Sequence, residues 1–330
     1  MLRIAAATAL GIGALAILFS VPAARAAEPW RHGVFEAKSD AGILFMVTQG
    51  FAKKQGLDVE LVQFKSDAVA LKALLAGDLD SYDGILVGTV VAASHGADVK
   101  LLGCHWPGLP HGIFVRKAIK DVADLKGKTF AISTPFTLPD VLADALLHKY
   151  GMQATDMRMV PLGGDVERYK ALVAGIADVT VVSAEYAPIA DRDGLRLLMA
   201  GRDVLPEYMR LCMFSTGGTL KRRPDDAVRF LAGEMTALRY AVTHRDAALK
   251  LTREITGIKA DDPRPEYIYD DTVRTHGVDP DIAIPMDKVD WGIQLMVKAG
   301  RVPPSFDPKQ IIDSSVREKA LARAAGEQSR

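Results

Sequence analysis

The chain has 330 residues, with 41 basic and 41 acidic side chains, 49% apolar residues and 25% charged residues. This is ordinary globular composition, long enough for two domains with a sizeable core, and it excludes an intrinsically disordered chain. A balanced charge without a basic run argues against nucleic-acid binding.

The first residues form a unit of their own. Arg3, an uncharged apolar stretch from Ile4 to Phe19, and "SVPAARA" ending in Ala24-Arg25-Ala26 read as a secretory signal peptide cleaved after Ala26. A membrane anchor helix is the alternative; the short apolar run and Pro22 speak against it. No Cys stands near the cut to carry a lipid, and no later stretch is long and apolar enough to span a bilayer. Without Arg3 and Arg25, 39 basic side chains face 41 acidic ones, a net charge of about −2. The expected mature chain is exported and soluble, with no stable membrane insertion.

Strand and helix signals then alternate. "WRHGVF" (30–35) predicts a strand. Ser39 and Asp40 can cap a helix with Ile43, Met46, Val47 and Phe51 on one face, closed by Gly56. "LDVELVQF" (57–64) predicts a strand, Ser66 and Asp67 open a helix ending in "ALLAG", and "DSYDG" starts a third strand. A helix to Gly96 and a strand "VKLLGC" (99–104) follow. The plan then repeats. "TFAIS" (129–133) predicts a strand; Thr137 to Asp140 form a capping box with Pro139 in the first turn, and Gly151 ends that helix. "DMRMVPL" (156–162) predicts a strand, a helix from about Asp165 ends in "ALVAG", and strands "DVTVVS" (178–183) and "LRLLMA" (195–200) follow, with a helix between them. Ala73 to Asp80 and Ala171 to Asp178 both read Ala-Leu-apolar-Ala-Gly-x-x-Asp. Two such copies imply two α/β lobes, each a mostly parallel sheet flanked by helices. The C-terminal third is helical: residues 224–257, with a break near His244-Arg245-Asp246, and Met286 to Ala299; Arg317 to Arg330 are expected to fray.

No His-Glu-x-x-His, Gly-x-Ser-x-Gly, Cys-x-x-Cys or Gly-x-Gly-x-x-Gly motif is present. "GKT" at 127–129 lacks the earlier glycine of a phosphate loop and precedes a strand instead of following one. His105 and His111 lack a third metal ligand nearby in sequence and read as packed residues. No enzymatic activity, metal or cofactor is therefore expected. Cys104 and Cys212, the two cysteines, are compatible with a disulfide in an exported chain or with packed free thiols, and their sparseness favours the thiols.

What remains is geometry. In open α/β sheets ligands sit beyond the carboxyl ends of the strands, where helix N-termini present unpaired N–H groups. The candidate ligand-binding residues are accordingly Glu36, Lys38, Ser39 and Asp40 after the first strand and Ser66 and Asp67 after the second. Tyr82 and Asp83 in the third, Thr134, Phe136 and Thr137, and Ser183, Glu185 and Tyr186 in the second lobe complete the strand-end set. His105 and Trp106 lie in "CHWPGLPHG" (104–112) between the lobes. Ser39, Asp40, Ser66 and Asp67 have a purely capping alternative, Tyr82 and Phe136 a core one, and Glu185 that of a first-turn helix acid.

"GFAKKQGLDVELVQF", "ALLAGDLD", "AASHGADVKLL", "DLKGKTFAIS", "VPLGGD" and "ALVAGIAD", in this order over residues 30 to 200, carry a resemblance. The chain resembles the periplasmic substrate-binding proteins of ABC transporters in the sulfonate/nitrate/taurine and thiamine-precursor group, the SsuA/THI5-like or NMT1 family. The resemblance implies a two-lobed type II periplasmic-binding-protein fold. Lobe 1 would be 27–112 and 214–330 and lobe 2 would be 113–213, with Cys104 and Cys212 near the crossings, where a bridge would restrain a hinge. It also implies a monomeric receptor that captures a small organic solute in an inter-lobe cleft and delivers it to a permease and its ATPase. Two features depart from the family pattern: "SDAGILFM" stands where many relatives carry Pro-Leu/Trp-Tyr, and the Cys-rich iron motif of the yeast-like pyrimidine synthases is absent. Lys38 and the helix N-termini suit a sulfonate or carboxylate. Glu36, Asp40, Asp67, Asp83 and Glu185 suit an amine or protonated heteroaromatic base, and Phe136, Tyr186 and Trp106 suit a flat or apolar body. An exported enzyme using Glu185 and His105, or a sensory module for a membrane kinase, are the competing readings.

Overall fold

A computed structural model describes residues 28–34, 41–64, 66–133 and 137–328. The expected signal peptide and its cleavage site, and the candidate residues Glu36, Lys38, Ser39, Asp40, Thr134 and Phe136, lie outside the described residues.

The chain opens with β1 (Trp30–Val34), α1 (Ala41–Thr48), α2 (Phe51–Lys54), β2 (Val59–Gln63), α3 (Asp67–Ala76), β3 (Ser81–Gly84), α4 (Leu86–Ser94) and β4 (Lys100–Trp106). It continues with β5 (His111–Arg116), β6 (Thr129–Ile132), α5 (Leu138–Lys149), β7 (Arg158–Pro161), α6 (Asp165–Val173), β8 (Val179–Ser183), α7 (Ala187–Ala190) and β9 (Leu195–Ala200). β10 (Leu211–Ser215) precedes α8 (Gly217–Arg222), α9 (Pro224–Thr243), α10 (Arg245–Thr256), α11 (Arg264–Arg274), α12 (Met286–Lys298) and α13 (Ser314–Gln328).

Two five-stranded sheets result, ordered β2-β1-β3-β10-β4 and β7-β6-β8-β5-β9. In each, one strand, β10 or β5, runs antiparallel to the other four. Each sheet receives that strand directly after a crossing from the other, at residues 107–110 and 201–210. This is the two-lobed type II periplasmic-binding-protein fold.

The doubled phrase has a structural explanation. Asp80 and Asp178 stand 98 residues apart, just before β3 and β8. Asp80 Oδ2 accepts the Arg31 N–H at 2.9 Å, and Asp178 Oδ2 accepts the Thr129 N–H at 3.0 Å. The backbone returns the bond both times, Asp80 N to Arg31 O and Asp178 N to Thr129 O. Each aspartate therefore bolts the start of one parallel strand to the start of its neighbour, where the ladder has not yet begun. Gly77 and Gly175, at φ 83° and 72°, end the preceding helices in the left-handed conformation that a side chain disfavours. Helix end, glycine, two residues and aspartate are thus one device for feeding a helix into a parallel strand.

The first sheet is covered on one face by α1, α9 and α13 and on the other by α3, α4 and α12. α9 presents Phe230, Leu231, Met235 and Leu238, all at most 2% exposed, to Trp30, Val34 and Met213. Burial of each such side chain stabilises by roughly 1.5–3 kcal/mol. The second sheet lies between α5 on one side and α6 and α7 on the other.

Four expectations change. "HGIFVR" and "LCMFS" form β5 and β10, and β4 runs on through His105 to Trp106, so the first crossing shortens to four residues. Residues 314–328 are helical: Val316, Ala320 and Ala324, spaced four apart, pack in the core beside α9. α1 buries Phe45 and Met46 and leaves Val47 37% exposed, because Gly50, at φ 70°, starts a new helix before the expected stripe is complete. Cys104 and Cys212 are joined in a disulfide. Both belong to adjacent strands of the first sheet, so the bridge ties β4 to β10 within one lobe and does not span the hinge.

Candidate functional site

The carboxyl ends of both sheets converge on the crossings. β4 leads into the first crossing and β5 emerges beside the end of β8; β9 leads into the second and β10 emerges between β3 and β4. The two lobes place matching acids there. Asp67, in the first turn of α3, accepts the Ile85 N–H just beyond β3 through Oδ1 at 2.9 Å. Asp165, in the first turn of α6, accepts the Ser183 N–H at the end of β8 through Oδ2 at 2.7 Å. The separation is 18 residues in both cases. Each carboxylate ties the first turn of a helix to the end of a strand.

Their surroundings differ. Burial raises the Asp67 carboxyl to about 6, against the lowering effect of the Ile85 hydrogen bond. Asp165 instead has cationic company: it pairs with Arg168, which is 2% exposed and also donates to Val181 O and Gly163 O. His111 Nε2 lies 3.8 Å from Asp165 Oδ2. Burial lowers the His111 imidazole to about 4, with Asp165 opposing and Arg210 and Arg168 reinforcing. It is neutral at pH 7.

The expected residues fall into four groups. Ser66, exposed at the mouth of α3, Asp67, Thr137 ahead of α5, and Ser183 and Glu185 stand at strand ends. Trp106 lies at the first crossing, beside a cavity of about 330 Å³ that Arg202, Asp271, His276 and Lys288 also line. Across this cavity Arg202 forms a two-pronged ion pair with Asp271 of α11 at 2.9 and 3.2 Å. Lys288 of α12 donates to Pro107 O at 2.8 Å.

Tyr82 and Tyr186 are packed residues. Tyr82 is fully buried beside Phe214 with its hydroxyl 2.7 Å from Thr89 Oγ1, because strand alternation turns it to the α4 side of the sheet. Tyr186, 7% exposed, stacks on Tyr169 at 4.1 Å, with the Arg264 guanidinium of α11 over its face at 5.6 Å. Asp83 and His105 form the fourth group, behind the strand ends. They meet His32 of β1 and Glu234 of α9 between sheet and helix, all four at most 2% exposed.

Asp165, His111 and Arg202 were not among the expected ligand residues. Asp165 was legible: it stands 98 residues after Asp67, the same interval that separates Asp80 from Asp178. Glu234 carried a weaker signal, a lone acid inside "FLAGEM" on the apolar face of a long helix.

Two such sheets, joined by two crossings with strand ends turned toward them, define the fold of the periplasmic binding proteins. The chain is similar in structure to the periplasmic aliphatic sulphonate binding protein SsuA from Escherichia coli, with a TM-score of 0.71 and 20% identity over 87% of this chain and 92% of that one. It is similar to the alkanesulfonate-binding protein SsuA from Xanthomonas axonopodis pv. citri, solved bound to MOPS, with a TM-score of 0.64 and 19% identity over 87% and 99%. The nitrate-binding protein NrtA from Synechocystis PCC 6803 matches with a TM-score of 0.64 and 14% identity over 89% and 88%. A comparison with curated protein sequences finds no match. The NMT1/THI5-like family model matches residues 38–248, and the chain belongs to that family.

Proposed function

We propose that this protein is an exported solute receptor that captures a small organic molecule between its lobes and passes it to an ABC importer. The observation that carries the reading is the matched pair of strand mouths, Asp67–Ile85 and Asp165–Ser183, set on two lobes that the described residues join by short crossings and by helix contacts. Such a pair gives a solute one polar wall from each lobe, and closure of the lobes buries it. The family membership and the sulfonate- and nitrate-binding structural relatives support the same reading. No described helix is long and apolar enough to cross a membrane, in keeping with a permease supplied by other chains. The solute belongs to the sulfonate, carboxylate or heteroaromatic amine class, with Ser66, Asp67, Trp106, Thr137, Ser183 and Glu185 as its proposed contacts among the described residues and Glu36, Lys38, Ser39, Asp40, Thr134 and Phe136 completing the set.

Asp67 discriminates the classes. Its carboxyl titrates near 6, so a cationic group bound beside it expels a proton between about pH 5 and 7, and an anion draws one in. A thermal-shift screen of sulfonates, carboxylates and amines identifies binders; at 100 times Kd a ligand stabilises by about 2.7 kcal/mol. Calorimetry of each hit in buffers of different ionisation enthalpy then reads the sign of proton exchange, and Asp67→Asn abolishes it. A folded, ligand-free protein that no member of the three classes shifts would defeat the reading.

A further inference from the structure

The buried cluster behind the strand ends is not accounted for by solute capture. Asp83 of β3, His105 of β4 and Glu234 of α9 each offer a ligand atom, and these atoms lie within 4.8 Å of one another. His105 Nδ1 is 3.8 Å from Asp83 Oδ1 and 3.9 Å from Glu234 Oε1. His32 Nε2 approaches the other Asp83 oxygen, Oδ2, at 3.1 Å without forming an aligned hydrogen bond. Exposure is 0% for His32, His105 and Glu234 and 2% for Asp83. Among the described residues no donor hydrogen-bonds either oxygen of Asp83.

Two carboxylates this close and this deep are costly, because each loses its hydration and repels the other. Asp83 makes no ion pair with Lys or Arg among the described residues; the recorded neighbours of its oxygens are the imidazoles of His32 and His105. The strand pattern puts the cluster there: Ser81 and Asp83 alternate with Tyr82, so their side chains lie on the face opposite the Tyr82 core. Ser81 Oγ accepts the Trp30 indole N–H at 2.7 Å and lies 2.8 Å from His32 Nδ1, which fixes the His32 ring with Nε2 toward Asp83.

We infer that Asp83, His105 and Glu234 form a binding site for a divalent first-row transition-metal ion such as zinc, with His32 orienting Asp83 from behind. One imidazole and two carboxylates, without a thiolate, suit zinc, cobalt, manganese or ferrous iron rather than a soft monovalent ion, and the nitrogen ligand disfavours magnesium and calcium. Tetrahedral bonds of 2.0–2.1 Å set ligand atoms about 3.4 Å apart, so the separations of 3.8 and 3.9 Å from His105 Nδ1 contract by about half an ångström when the ion binds, and the two carboxylate oxygens, within 4.8 Å of each other, close onto it. Asp83 then uses Oδ1 for the metal and Oδ2 for His32, the division of labour by which outer-shell partners hold ligating carboxylates. The ion neutralises the buried acids and pins α9 to β3 and β4 beneath the first crossing.

The test uses the mature chain stripped with a chelator and reloaded with Zn²⁺ or Co²⁺. Inductively coupled plasma analysis should find one equivalent of zinc; cobalt should give visible d–d absorption that zinc displaces; and the loaded protein should melt higher than the stripped one. Glu234→Gln should abolish stoichiometric binding, and His32→Gln should weaken it by about 10–100-fold. Stoichiometry on the unaltered chain decides without any variant: a stripped, folded protein that takes up well under one equivalent of both ions overturns the site. Binding that Glu234→Gln leaves at full strength overturns it equally, because the ion then sits elsewhere.

Discussion

His111 shows how one residue's setting sets its chemistry. It begins β5, fixed beside Asp165 and near Arg168, and only 7% exposed. The environment lowers its pKa to about 4 from the ordinary 6.5, burial first. A depressed histidine contributes stability that is fully present above pH 6.5 and is lost as pH falls toward 4, since the unfolded chain takes the proton first. Urea unfolding should therefore show His111 costing the protein about 2–3 kcal/mol between pH 7 and pH 4.5. His111→Gln should flatten that part of the profile, and a profile of unchanged slope would show that other groups carry it. From sequence His111 read only as a packed histidine. The acid beside it is 54 positions downstream and reaches it through the pairing of β5 with β8.

At the scale of the element, the recurring helix–glycine–aspartate device makes two predictions of different size. Asp178 accepts one backbone N–H, that of Thr129. Asp80 accepts the Arg31 N–H and also pairs with Arg223, whose guanidinium is anchored further by Asp226 and by the carbonyls of Glu28 and Pro29. Asp178→Ala should cost about 1.5 kcal/mol, the value of a hydrogen bond to a charged group. Asp80→Ala should cost about 3 kcal/mol, because it also leaves a partly buried arginine short of its partner. Chemical denaturation of the two variants side by side measures the difference; equal losses would mean that Arg223 is satisfied without Asp80. This element was readable in advance because its parts are close in sequence and repeat. α13 was not: an Ala-rich stripe acquires meaning only once α9 offers a surface shallow enough for alanines to meet.

For the whole molecule, the disulfide encloses almost all of the second lobe. Cys104 and Cys212 are 108 residues apart, and β5 to β9 lie between them. Closing a loop of about 100 residues lowers the entropy of the unfolded chain by the equivalent of about 4.7 kcal/mol in the chain-entropy account. Because both cysteines belong to one sheet, replacing both by serine should cost up to about 4 kcal/mol in urea unfolding and leave solute affinity unchanged. A large change in affinity would mean that the bridge reaches the hinge after all. Contacts across the lobes come from elsewhere, chiefly from α11, whose Asp271 holds Arg202 and whose Arg264 covers Tyr186.

The sequence by itself determined the doubled α/β plan, the strand mouths at Asp67 and Ser183, and the helical C-terminal third, because helix periodicity, caps, glycine stops and repeats are local and survive without partners. Tertiary structure alone decided which strand joined which sheet, that the two cysteines were neighbours, that Tyr82 and Tyr186 turned inward, and that Glu234 met Asp83 and His105. Those outcomes depend on contacts between segments up to about 150 residues apart. Pairing and packing at that distance are set by the shapes of complete surfaces, which no short stretch of the chain encodes.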